Sequence, residues 1–198
     1  IIEGSLPLDG LKDVVGILKK SGVENHLLTP LELLDVAAAL RVSRTMAAFL
    51  SRRKERIPAL HPLDKGLFAD KVVEFNIQDA IDETGRVRDS SSKELRLIRQ
   101  DMTAIGAQLR KKLALIVRDV SEKDLLQEDI ITTRDGRFVI PVKSEFKHRV
   151  PGFIHSASAS GATVFIEPAE SLELNNSLRE LQFREQREIE RILRALTA

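Results

Sequence analysis

The chain has 198 residues, 42% hydrophobic and 31% charged, enough apolar side chain for one large domain or two small ones. Its 31 basic and 30 acidic residues leave a net charge of +1, so any nucleic-acid-binding surface has to be local. The lack of cysteine excludes a disulfide scaffold, a Cys-ligated zinc site and a thiol nucleophile. With eight Phe and no Trp or Tyr there are few platforms for stacking bases, which directs nucleic-acid contact to phosphates. The longest apolar runs, such as Leu113–Val117, are too short to span a membrane. Ile1-Ile2-Glu3-Gly4 lacks the basic and apolar regions of a secretory leader. The start at Ile1 suggests a piece of a longer protein, and the cytoplasm is the expected compartment.

The first half reads helical. A short helix is expected over Leu11–Lys20, ended by Ser21-Gly22. Thr29-Pro30-Leu31-Glu32 has the form of a capping box with proline at the first helical position. It opens a helix with Leu33, Ala37, Leu40, Ala47 and Leu50 on one stripe, leaving through the basic Ser51-Arg52-Arg53-Lys54. Pro58 and Pro62 mark a loop, and a further helix is expected over Lys71–Ala80, before a turn at Thr84-Gly85. Ser91-Ser92-Lys93-Glu94 reads as a second capping box. The long stripe Leu95, Ile98, Met102, Ile105, Leu109, Leu113 and Ile116 follows, giving a helix roughly 40 Å long.

The period then changes to that of strands. Residues 129–134 and 137–140 flank Asp135-Gly136, a strong hairpin signal, and 153–155 and 163–166 are two more strand candidates. Pro141, Pro151 and Pro168 are expected to interrupt or end these runs. After Pro168 the chain returns to helix. Within it 183–191 is nearly all polar, with Arg184 and Glu188 spaced to pair on a solvated face, as in a projecting arm. The fold class is therefore mainly α with a small antiparallel β-sheet.

Little catalytic chemistry is visible. No phosphate-binding glycine loop occurs, and His26, His61, His148 and His155 lack metal-ligand spacing. Ser156, Ser158 and Ser160 beside His155 read as a polar turn between strands rather than a nucleophile elbow. The basic cluster carries more. Arg134, Arg137, Lys143, Lys147 and Arg149 face only Asp135 and Glu145, a local charge of +3. On a strand, Lys143, Lys147 and Arg149 would share one face. Phosphate contact and a charged edge that blocks aggregation are both open readings.

Residues 134–143 (Arg-Asp-Gly-Arg-Phe-Val-Ile-Pro-Val-Lys), 151–168 (Pro-Gly-Phe-Ile-His-Ser-Ala-Ser-Ala-Ser-Gly-Ala-Thr-Val-Phe-Ile-Glu-Pro) and Leu174-Asn175-Asn176 closely resemble the MutS-II family, the recombination-suppressing branch of bacterial MutS proteins. Residues 28–34 and 85–91 fit as well, so the resemblance covers nearly the whole chain. Ser156 departs from it, standing where the family usually has Asp. The resemblance implies lever helices carrying a clamp: a helical core and lever over 1–128, a β-rich clamp over 129–168 and a returning helix over 169–198. Lys143, Lys147, Arg149, Arg134, Arg137 and His148 are then the candidate phosphate contacts. The resemblance also implies that the stretch itself is not catalytic and holds no cofactor. The parent would be an ATP- and Mg-dependent, homodimeric endonuclease acting on branched or duplex DNA. Ribosomal RNA in the rescue of stalled ribosomes is an alternative target, and dimerisation through a stripe over Leu172–Leu196 an alternative role.

Overall fold

A computed structural model describes residues 6–198; Ile1–Gly4, read above for a leader, lie outside the described residues. Five α-helices and four strands follow in the order α1 (Val15–Ser21), α2 (Pro30–Arg52), α3 (Lys71–Ala80), α4 (Lys93–Ser121), β1 (Thr132–Arg134), β2 (Arg137–Lys143), β3 (Gly152–Ala157), β4 (Thr163–Pro168) and α5 (Leu172–Thr197). Short 3-10 turns punctuate them. The protein is mainly α with a small antiparallel sheet. No described helix is long and apolar enough to cross a membrane. The chain forms two compact units, Ile1–Arg96 with Arg187–Ala198, and Leu97–Gln186.

In the first unit α2 starts as its sequence dictates. The Thr29 side chain accepts from the Glu32 amide while the Glu32 carboxylate accepts from the Thr29 amide at 2.9 Å. Lys20 adds an ion pair to Glu32 at 2.6 Å, and with the Thr29 bonds it holds the carboxyl well below its ordinary range, at about 2. Helix α3 is capped by Asp70, whose side chain takes the amides of Val72 and Val73. Leu33 and Ala37 of α2 pack with Ile77 and Ala80 of α3, Leu95 of α4, and Ile192 and Leu193 of α5. A bidentate Arg44–Glu74 fork, at 3.0 and 2.9 Å, ties α2 to α3, and the Arg44 guanidinium lowers the pKa of Glu74.

Three expectations are corrected in this unit. Helix α1 begins at Val15 rather than Leu11. Helix α4 begins at Lys93 and is capped by Ser92 rather than Ser91; the Ser92 hydroxyl accepts from the Leu95 amide and donates to Glu188 of α5. Glu188 is 8% exposed and is forked by Arg191, so it faces inward rather than pairing on the solvated side, where Phe183, Arg184, Gln186, Arg187, Glu190 and Arg191 remain exposed.

The second unit is built on a four-stranded sheet in the order β1-β2-β4-β3, antiparallel throughout. Asp135 and Gly136, both at positive φ, make the two-residue turn between β1 and β2, where Arg134 faces Arg137. Strand β2 runs through Pro141 instead of stopping there. The Pro141 carbonyl accepts from Gln127, so its missing N–H points to that same irregular side and costs no bond to β4. Ile140, Val142, Val164 and Ile166 of the sheet pack with Leu109 and Leu113 of α4 and Leu178 of α5. Here too α5 faces inward, since Glu185 pairs with Arg99 of α4 at 2.7 Å.

Candidate nucleic-acid interface

The six candidate cations all lie in the second unit, but the fold separates them. Strand β2 ends at Lys143, and the chain must pass from β2 to β3 across the end of the intervening β4. It does so as a 3-10 turn, Ser144–Arg149. With three residues per turn, consecutive side chains fan out about 120° apart. The expected shared strand face for Lys143, Lys147 and Arg149 is therefore absent.

Three of the six are engaged within the fold. Lys143 reaches the Asp124 carboxylate at 2.7 Å and its backbone carbonyl at 3.1 Å. Arg137 donates to Glu167 at 2.8 Å and to Asn176 at 2.7 Å. Arg134 lies over the Phe165 ring, 3.8 Å from its centre, and donates to the Thr133 carbonyl. The other three sit on the 3-10 turn. His148 and Arg149 are exposed, and Lys147 is half-buried. Lys147 and His148 make no hydrogen bond or ion pair with another described residue; Arg149 stands over Phe146, 5.7 Å from its centre, the i to i+3 contact a 3-10 turn provides.

The sequence reading overlooked α4. No acid occurs between Asp101 and Asp119, while Arg110, Lys111, Lys112 and Arg118 do. Lys112 and Lys123 line the same cleft of about 390 Å³ as Arg149, along with Leu115, Pro151 and the acids Asp119 and Glu170. Lys123 is paired with Asp119 and Arg110 lies over Phe138, while Lys112 shares the cleft with Arg149. The Arg110-Lys111-Lys112 run was the available signal.

Glu167 was missed as well, although it organises the sheet. It is 1% exposed at the end of β4 and accepts from Arg137 and from His155 Nε2, the latter at 2.6 Å. His155 sits at the bulge where β3 slips register between Ile154 and Ser156. Asn175 of α5 bonds both the N–H and the C=O of Phe138, replacing a strand neighbour beyond the end of the β2–β4 pairing. Arg137, His155, Glu167 and Asn176 thus form one hydrogen-bonded network, beside the Asn175–Phe138 bonds. His155 is committed to Glu167, while Ser158 takes the Thr163 amide and bonds Ser160 in the β3–β4 turn. No nucleophile–base pair results from this serine and histidine arrangement. Ser156 Oγ is buried with no partner. Among the described residues no three His, Asp or Glu side chains gather as metal ligands.

No protein-family model matches the chain. Individual relatives do. It is 40% identical over 198 residues to the endonuclease MutS2 of Brevibacillus brevis, covering 99% of this chain and 25% of that protein. It is 44% identical over 189 residues to the endonuclease MutS2 of Pelotomaculum thermopropionicum, covering 96% and 24%. With the endonuclease MutS2 of Geobacillus thermodenitrificans the identity is 42% over 207 residues, covering 100% and 25%. The chain is a MutS2-family segment. It spans about a quarter of the length of the curated relatives it matches. Of the residues that carried the resemblance, Glu167 and Asn175 are buried, and with the half-buried Arg137 and the exposed Asn176 they make the polar contacts that tie β2, β3, β4 and α5 together. The cations of the 3-10 turn fall between the two signature runs.

Proposed function

We propose that this MutS2 segment grips the phosphate backbone of nucleic acid through Lys147, His148 and Arg149, with Lys112 across the cleft. The carrying observation is the division among its cations: Arg137, Lys143 and Arg134 are held by Glu167, Asp124 and Phe165, while on the 3-10 turn His148 and Arg149 are exposed and the half-buried Lys147 has no ion pair among the described residues. Cations spread over a turn, with no fixed array of donors for base edges, suit sequence-independent contact. In this reading the sheet β1–β4 is a clamp, and the long helices, α4 alone about 43 Å, are the lever that carries it. ATP and Mg act in the remainder of the protein. Two copies facing one duplex supply through avidity what a single small grip lacks.

The relatives are named endonuclease MutS2, which supports nucleic acid as the target; in this reading that target is branched DNA and the role is suppression of recombination. The test is binding of the full-length protein to branched DNA, linear duplex and ribosomes, with and without ATP. Preference for branched DNA supports the reading. Preference for ribosomes would move the same cations onto ribosomal RNA. Equal, weak binding to all three would leave the turn as a charged edge only.

A further inference from the structure

The stripe of α5 read above as a dimer surface is spent inside the protein, with Leu178, Leu181, Ile192 and Leu193 all buried. A different apolar face has no such use. Helix α3 turns Glu74, Ile77 and Ala80 inward and presents Val72 and Phe75 outward, 67% and 65% exposed. Leu63 and Phe68, in the segment leading to α3, are 62% and 70% exposed. Two of the chain's eight Phe are thus solvated within eight residues of each other, beyond the scatter of single apolar residues usual on a surface.

The charges on this face are complementary to those of a second copy. Positions 71, 75 and 79 lie one turn apart on the outward side of α3, and all three residues are exposed. Lys71 stands four residues before Phe75, and Asp79 four residues after it. Neither makes an ion pair with another described residue. In a second copy packed antiparallel about a two-fold axis through Phe75, Lys71 falls opposite Asp79, and Asp79 opposite Lys71. Both pairs flank a Phe75–Phe75 contact, with Val72 beside it. A parallel arrangement would set Lys71 against Lys71 and Asp79 against Asp79. The charges therefore select the antiparallel one.

We propose that the outward face of α3 is a self-complementary contact for a second copy of this chain, formed by Val72 and Phe75 and oriented by reciprocal Lys71–Asp79 pairs. One ten-residue helix offers less than the ~1,200 Å² buried in stable complexes, so the contact is weak and concentration-dependent.

The experiment is sedimentation of the 198-residue chain from about 10 µM to about 1 mM, a range that brackets weak association. A monomer–dimer equilibrium is expected within it. Phe75→Glu should abolish the dimer. Lys71→Asp or Asp79→Lys alone should weaken it about tenfold. The doubly exchanged protein, Lys71→Asp with Asp79→Lys, should recover the wild-type constant, because a two-fold interface sees the same pairs with their signs reversed. Recovery also shows that the single variants had not merely misfolded, and circular dichroism checks Phe75→Glu. A monomer throughout, a dimer indifferent to Phe75→Glu, or a double exchange no better than either single one would each overturn the proposal; the first would leave another protein segment as the cover of this face.

Discussion

Replacing Arg137 by Ala separates a structural cation from a nucleic-acid contact. Glu167 is 1% exposed and has two partners, Arg137 at 2.8 Å and His155 at 2.6 Å. Without Arg137 the buried carboxylate is left with the imidazole alone, and Asn176 loses its donor. Removing one member of a buried ion pair costs about 3–5 kcal/mol, and because the Arg137 side chain is 26% exposed we take about 2–3 kcal/mol. At 1.4 kcal/mol per decade, the sheet should open about 30- to 150-fold more often. Hydrogen exchange followed on peptides covering 137–143 and 163–168 reads this opening directly. Lys143→Ala is the internal control, since its partner Asp124 is 90% exposed and such surface pairs are worth less than about 1 kcal/mol. A change below about threefold for Arg137→Ala, or one equal to that of Lys143→Ala, would refute the structural assignment of Arg137.

Other expectations follow from single contacts. Glu32 has a depressed pKa, so its contribution to stability is complete above the unfolded carboxylate value near 4.3 and is lost as the pH falls through about 2. An NMR titration of the Glu32 carboxyl should find its midpoint near 2, and Lys20→Ala should move it back up, Lys20 being the largest cause. Gly152→Ala should detach β3 from β4: the added Cβ would lie 2.2 Å from the Glu167 carbonyl oxygen, a backbone atom that cannot give way without breaking the pairing. Faster exchange in 152–157, with α2 and α3 unaffected, is the expected readout. Ser156→Ala should leave stability unchanged or raise it by up to about 1 kcal/mol, because the buried hydroxyl it removes has no partner. A loss above about 1 kcal/mol in urea unfolding would mean that the hydroxyl is satisfied.

What could be read from the sequence was what local chemistry decides. The Thr29–Glu32 box, the span of α3 and the Asp135-Gly136 turn each depend on residues within a few positions of one another, and each forms as read. The 3-10 turn at 144–149 depends instead on β4 lying between β2 and β3, a choice of strand order that no local pattern in those six residues records. Glu167 was hidden for a related reason. Its partners are 12 and 30 residues away, so it looked like one more solvated acid. The trace it left is its place at the end of the apolar run Thr163-Val164-Phe165-Ile166, where an exposed acid would be out of character. Glu188 reads as a surface residue until α4 delivers Ser92 to it from 96 residues away. The basic residues were found by counting, but a count cannot tell the cations that hold the sheet together from those that face solvent. Only pairing geometry separates them.

That separation is best tested by the salt dependence of duplex DNA binding by the full-length protein. Each lost phosphate contact lowers the slope of log affinity against log salt by about 0.9, so Lys147→Ala with Arg149→Ala should flatten it by about 1.8 units for each copy on the duplex, about 3.6 for two. Lys143→Ala, whose charge is already spent on Asp124, should leave it unchanged. A slope altered by Lys143→Ala and not by the Lys147 and Arg149 pair would contradict the account.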